Sequence, residues 1–87
     1  MKEKIIKVIN KTGLHARPAA MLVQTTSKFN ATVKILKDDY EVDAKSIMGV
    51  MTLAAAPGSE LKFTADGPDE TEVLDALEKL FSSGFSE

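Results

Sequence analysis

Apolar positions recur every second residue in some stretches of this chain and every third or fourth in others. The changes of period mark out its elements. The β-branched run over 4–9, Lys4-Ile5-Ile6-Lys7-Val8-Ile9, predicts a first strand. Asn10, Lys11, Thr12 and Gly13 form a turn cluster that ends it. A helix follows over 16–27, with Ala19, Leu22, Val23 and Thr26 spaced to face a core. Pro18 fits only near the start of that helix, where a missing N–H costs nothing, so the N-terminus falls at or near His15. The alternating segment 32–37 and the short segment 40–43 predict a hairpin closed by Asp38 and Asp39.

Ser46 is a natural N-cap for a short apolar helix over 47–53, in which Val50, Leu53 and Ala54 can face the sheet. Strict alternation over 61–65 gives a fourth strand. Asp69 with Glu72 three residues on reads as a capping box. Val73, Leu74, Leu77, Leu80 and Phe81 then draw the apolar stripe of a last helix. The order is βαββαβα. Its economical packing is an α+β fold in which three helices cover one face of a four-stranded, mostly antiparallel sheet. The other face meets water, in keeping with the lysines and glutamates interleaved in the strands.

Composition narrows the function. The 87 residues make one small domain over 1–87, with no linker or repeat, and no cysteine with which to build a disulfide framework or thiolate metal site. Eleven Lys and Arg against 13 Asp and Glu leave a net charge of −2, which suits nucleic acid poorly. No apolar run reaches the roughly 18–20 residues that span a bilayer, and the N-terminus is not that of a signal peptide. A cytoplasmic protein with no membrane association is expected. A domain of this size buries only about 60% of its unfolded surface, which leaves little room for an enclosed pocket. Function is expected on the surface.

Three features could carry it. His15, the single histidine, stands at a helix N-terminus with Arg17 two residues on. Unpaired first-turn amides and the helix dipole favour an anion there, and a guanidinium fork matches phosphate oxygens. A neutral imidazole nitrogen beside such a cradle is the minimum equipment for accepting a phosphoryl group. On these grounds alone, His15 reads more simply as a helix cap. Ile47, Met48 and Met51 share a face of the short helix away from the sheet. They serve equally well as a partner surface or as core. Ser46 is an N-cap first, although a phosphate of roughly −1.5 to −2 charge would be tolerated at that position. No P-loop, dinucleotide fingerprint, nucleophile elbow or metal-ligand spacing is present, and no cofactor is expected.

At Gly13-Leu14-His15-Ala16-Arg17-Pro18-Ala19 and Lys45-Ser46-Ile47-Met48-Gly49-Val50-Met51 the chain resembles the HPr family. These are the histidine-containing phosphocarriers of the bacterial phosphoenolpyruvate:sugar phosphotransferase system. The second motif is similar to that of low-GC Gram-positive members. The likeness extends to Ala65-Asp66-Gly67-Pro68-Asp69-Glu70 and the last helix. It implies an open-faced β-sandwich and a stoichiometric carrier rather than a stand-alone enzyme. His15 would accept phosphate on Nδ1 from phosphorylated Enzyme I and pass it to the IIA domains of sugar permeases, with Arg17 helping to hold and release it. Ala16, Ala20, Gln24, Ile47, Met48 and Met51 would form the docking face. Ser46 would be the target of an HPr kinase/phosphorylase, and the modified form would serve the catabolite control protein as corepressor. A monomer is expected.

Two positions depart from the family. Ala54 stands where many relatives have glycine, so a positive φ there would strain it or end the helix differently. Asp38 and Asp39 replace an Asn-Gly type of turn, so a looser hairpin is expected. Three other readings stay open. A regulatory module acting through Ser46 alone would not need His15. An acylphosphatase-like enzyme needs a phosphate loop that residues 10–13 match poorly. A paralogue serving nitrogen regulation would share the same chemistry.

Overall fold

A computed structural model describes residues 1–86. The elements are β1 (Lys2–Lys7), α1 (Ala16–Thr26), β2 (Thr32–Lys37), β3 (Tyr40–Asp43), α2 (Ile47–Thr52), β4 (Glu60–Asp66) and α3 (Glu70–Ser82), with a 3-10 turn at Gly84–Ser86. The expected βαββαβα order is present. The sheet runs β1-β4-β2-β3 and every pairing is antiparallel.

The register explains the two faces. Lys4, Phe63, Ile35 and Val42 lie side by side across all four strands, with Ile6 beside Leu61. This row faces the helices, and its apolar members are buried. Lys4 stands at the sheet edge and reaches Glu78 of α3 at 3.0 Å. The next row is Ile5, Lys62, Leu36 and Glu41. It faces solvent, with Lys62 paired to Glu3 at 3.2 Å. Period-two alternation and helices on one side therefore produce the open-faced sandwich.

The core is built mainly on α3. Val73, Leu74, Leu77 and Phe81 are buried, and Leu80 packs half-buried at the margin. Phe81 meets Phe63 and Phe85 edge to face, with centroids 5.5 and 4.8 Å apart. Phe85 lies beyond the predicted stripe. Gly84, Phe85 and Ser86 all take positive φ, and this left-handed turn tucks the Phe85 ring back under the helix.

Several local expectations need correction. Strand β1 occupies Lys2–Lys7 rather than 4–9. Lys2 and Glu3 join the ladder by pairing with Ala65 and Thr64 of β4. Val8 stays tied by bonds to Ser59 O at 2.8 Å and from Gly58 N at 2.7 Å, whereas Ile9 turns out to solvent. The Asp69–Glu72 capping box does not form. The Asp69 carboxylate instead accepts the Asn30 and Ala31 N–H groups, both at 2.8 Å, and latches the α1–β2 loop to the start of α3. Glu70 Oε1 takes the Gly67 N–H at 3.2 Å. The hairpin is not loose: Lys37 pairs directly with Tyr40, and Asp38 accommodates a φ of 55°.

At the end of α2, Val50 and Leu53 are buried as expected, but Ala54 is exposed and Ala55 takes the inner position. Ala54 has a φ of 50°, the strained conformation that the missing glycine implied.

Candidate functional site

His15 is the N-cap of α1, with extended backbone angles. Its carbonyl accepts the Ala19 N–H at 2.9 Å, which closes the first helical turn. Its exposed side chain makes no capping bond. Pro18 has no N–H to offer. The N–H groups of Ala16 and Arg17 have no partner among the described residues. No acidic residue lies in the first turn to compete for them. Arg17 is exposed and has no ion pair among the described residues. Imidazole, two unspent amides and a guanidinium thus share one helix end, as the sequence predicts. Such an end can bind an anion and present a nucleophilic nitrogen to it.

The loop leading into His15 is held from behind. Leu14 is buried and donates its N–H to Ala55 O at 3.0 Å. Gly13 has a φ of 68°, and a Cβ there would drive into the same carbonyl oxygen. Between the two segments lies a cleft of about 320 Å³, with Thr12, Leu14 and His15 on one wall and Met51 and residues 54–57 on the other. Of the site residues expected from sequence, the cleft joins His15 with Met51; Arg17 does not line it. Sequence reasoning did not assign Thr12 or residues 54–57 to the site. The available signals were Gly13 as a turn residue and Pro57-Gly58 as a loop.

Met51 is also part of an apolar surface. Val50 and Leu53 use up the inward face of α2, so Ile47, Met48 and Met51 point outward. Met48 is 77% exposed, which answers whether this group completes the core. On the neighbouring α1, Ala16, Ala20 and Gln24 recur every fourth residue, turned away from buried Leu22. Ala16 and Gln24 are exposed and Ala20 half-buried. Together these residues leave exposed apolar surface beside the His15 end of α1.

Ser46 caps α2 as expected. Its Oγ accepts the Gly49 N–H at 3.1 Å and its carbonyl the Val50 N–H at 2.9 Å. The two perturbed carboxyls lie elsewhere. The Asn30 N–H holds Asp69 below its ordinary value of 3.8, with Ala31 adding to the effect, and the Gly67 N–H does the same for Glu70 below 4.5. Among the described residues, no three His, Cys, Asp or Glu side chains converge on a metal position, and no helix is long and apolar enough to cross a membrane.

Comparison with known proteins finds relatives over the whole chain. The family model for the PTS HPr component phosphorylation site matches residues 2–83. The phosphocarrier protein HPr of Treponema pallidum is 48% identical over 87 residues, covering 100% of this chain and 99% of its own. Among solved structures, HPr-C-His from Thermoanaerobacter tengcongensis superposes with a TM-score of 0.97 at 52% identity, covering 100% of this chain and 98% of that one. An HPr dimer from the same organism gives 0.81 at 52% identity, covering 100% of both chains. A family model matched over residues 2–83 and a sequence and fold shared over the whole length with phosphocarriers place the chain in the HPr family of the phosphotransferase system.

Proposed function

We propose that His15 is the phosphoryl acceptor. Its Nδ1 attacks the phosphorus of phosphorylated Enzyme I. A new N–P bond forms as the donor's bond breaks, and the departing group keeps its electron pair. The same exchange, with this chain as donor, then loads a IIA domain of a sugar permease. Enzyme I and the IIA domain complete each reacting site, so this chain acts as a stoichiometric carrier. The observation that carries the reading is the exposed imidazole beside the unpaired Ala16 and Arg17 amides, with no first-turn carboxylate. The amides and the Arg17 fork hold the phosphate oxygens. Ala16, Ala20, Gln24, Ile47, Met48 and Met51 form the face that both partners use. A shallow face of this kind supports the rapid release that a shuttle requires.

Ser46 is the proposed regulatory position. Phosphorylation by an ATP-dependent kinase would replace a hydroxyl beside the Gly49 N–H with a dianion next to the docking residues Ile47 and Met48. This would slow transfer to His15 and create a surface for the catabolite control protein. The chain is proposed to work in the cytoplasm as one domain and as a monomer. Sedimentation at micromolar concentration checks the last point, since a relative has been solved as a dimer.

The test is incubation with phosphoenolpyruvate and Enzyme I, followed by assay for acid-labile, base-stable phosphate. The wild-type chain is expected to be labelled and His15→Ala to stay blank. Equal labelling of the two would remove His15 from the mechanism. Ser46→Asp is expected to accept phosphate more slowly; an unchanged rate counts against the regulatory role.

A further inference from the structure

We infer that the backbone clasp between Gly13-Leu14 and Ala54-Ala55 sets His15 against the docking face of α2, so that Gly13 and Leu14 are positioning residues for phosphoryl transfer. The inference rests on the carrier reading above. The clasp consists of the Leu14 N–H bond to Ala55 O at 3.0 Å and of Gly13 packed directly on that carbonyl. Leu14 and Ala55 are 4% and 3% exposed, so water does not compete readily for the bond. His15 is the next residue, and its Cα lies one virtual bond of about 3.8 Å from a fixed point. On the other side, the Ala54 N–H closes the end of α2 on Met51 O at 3.2 Å. The left-handed turn at Ala54 then presents the Ala55 carbonyl to Leu14. His15 and Met51 consequently form opposite walls of one cleft.

Loosening the clasp leaves the imidazole, Arg17 and the α2 docking residues chemically intact and changes only their relative placement. Group transfer is sensitive to that placement, because a displacement of about 1 Å can cost on the order of a hundredfold in rate. The docking face spans α1 and α2, which also pack directly on each other without the clasp, so docking depends on it much less.

The test uses the chain as the substrate of phosphorylated Enzyme I, with folding followed by circular dichroism. Gly13→Ala is expected to lower kcat by about tenfold or more with KM nearly unchanged. A merely destabilised chain behaves differently, because an unfolded fraction dilutes the substrate and raises KM at constant kcat. That result, or unchanged kinetics, overturns the proposal. Should Gly13→Ala not fold, a synthetic chain with an ester in place of the 13–14 peptide removes the Leu14 N–H without adding bulk. The ester also weakens Gly13 O as acceptor for Asn10 Nδ2, a 2.8 Å bond, so Asn10→Ala is run beside it. The ester is expected to lose more kcat than Asn10→Ala, and an equal loss overturns the proposal. The carrier reading is scored separately: it stands if wild type is labelled and His15→Ala is not. A wild-type chain that takes no phosphate sinks both.

Discussion

Replacing Ala54 by glycine should stabilise this protein. Ala54 sits at φ 50°, where an L-residue with a Cβ crowds the following carbonyl. That conformation costs an alanine about 1–2 kcal/mol, and glycine removes the cost. Glycine also loosens the unfolded chain, which offsets about 0.4–1 kcal/mol of the gain. Ala54 is exposed, so its methyl contributes little packing. The central expectation is a gain of about 0.8 kcal/mol, or a rise of roughly 3–6 °C in Tm for a domain of this size. Thermal and urea unfolding at neutral pH measure it, with the urea m-value unchanged. Ala54→Val is the counter-variant. A β-branched side chain is still less compatible with positive φ, so its midpoint should fall. A glycine variant that unfolds below the wild-type temperature would refute the reasoning, because it would show that the native φ at this residue is not left-handed.

Other consequences can be measured in the same way. Asp69→Ala should lower stability at pH 7 and flatten the acid limb of the stability profile. The carboxyl is held below its ordinary 3.8 by the Asn30 and Ala31 N–H groups, so its contribution is complete above that pH and is lost as pH falls through the depressed folded value. An acid limb as steep as wild type would show that other groups produce it. Phe85→Ala should cost about 3 kcal/mol in urea unfolding, as truncation of a buried aromatic ring does; a cost under about 1 kcal/mol would mean that the final turn is not docked on Phe81. Met48→Asp should weaken binding to Enzyme I in calorimetry while leaving Tm within a few degrees, since the side chain is 77% exposed. Loss of the thermal transition would instead place Met48 in the core.

What could be read from sequence and what could not follows from how far apart the interacting residues lie. Pro18 and the Ala19–Leu22 spacing located the start of α1, and with it His15, because both signals act within one helical turn. The Ser46 cap was legible for the same reason, since its partner Gly49 is three residues away. Asp69 misled because a local rule assigned its carboxylate to its own helix. The partners it found are at Asn30 and Ala31, nearly 40 residues earlier, and no window includes both. The limits of β1 depended on its register against β4, which pairs Lys2 with Ala65 and Lys7 with Glu60. The cleft wall at 54–57 was invisible on similar grounds: Gly13 announced a turn but not which carbonyl it would lie against. Phe85 escaped because helical periodicity ends at Phe81, and only a left-handed reversal returns the later ring to the core.

The strand order β1-β4-β2-β3 also has a consequence for biosynthesis. The interior strand β4, which pairs with both β1 and β2, is the last of the four to leave the ribosome. Until residue 66 has left the exit tunnel, β1 has no neighbour and β2 with β3 amounts to an isolated hairpin, which is at best marginally stable in water. Residues 2–66 must therefore all emerge before the four-stranded sheet can close. Nascent chains arrested before β4 emerges should be digested by protease, and those arrested well after α3 has emerged should resist it.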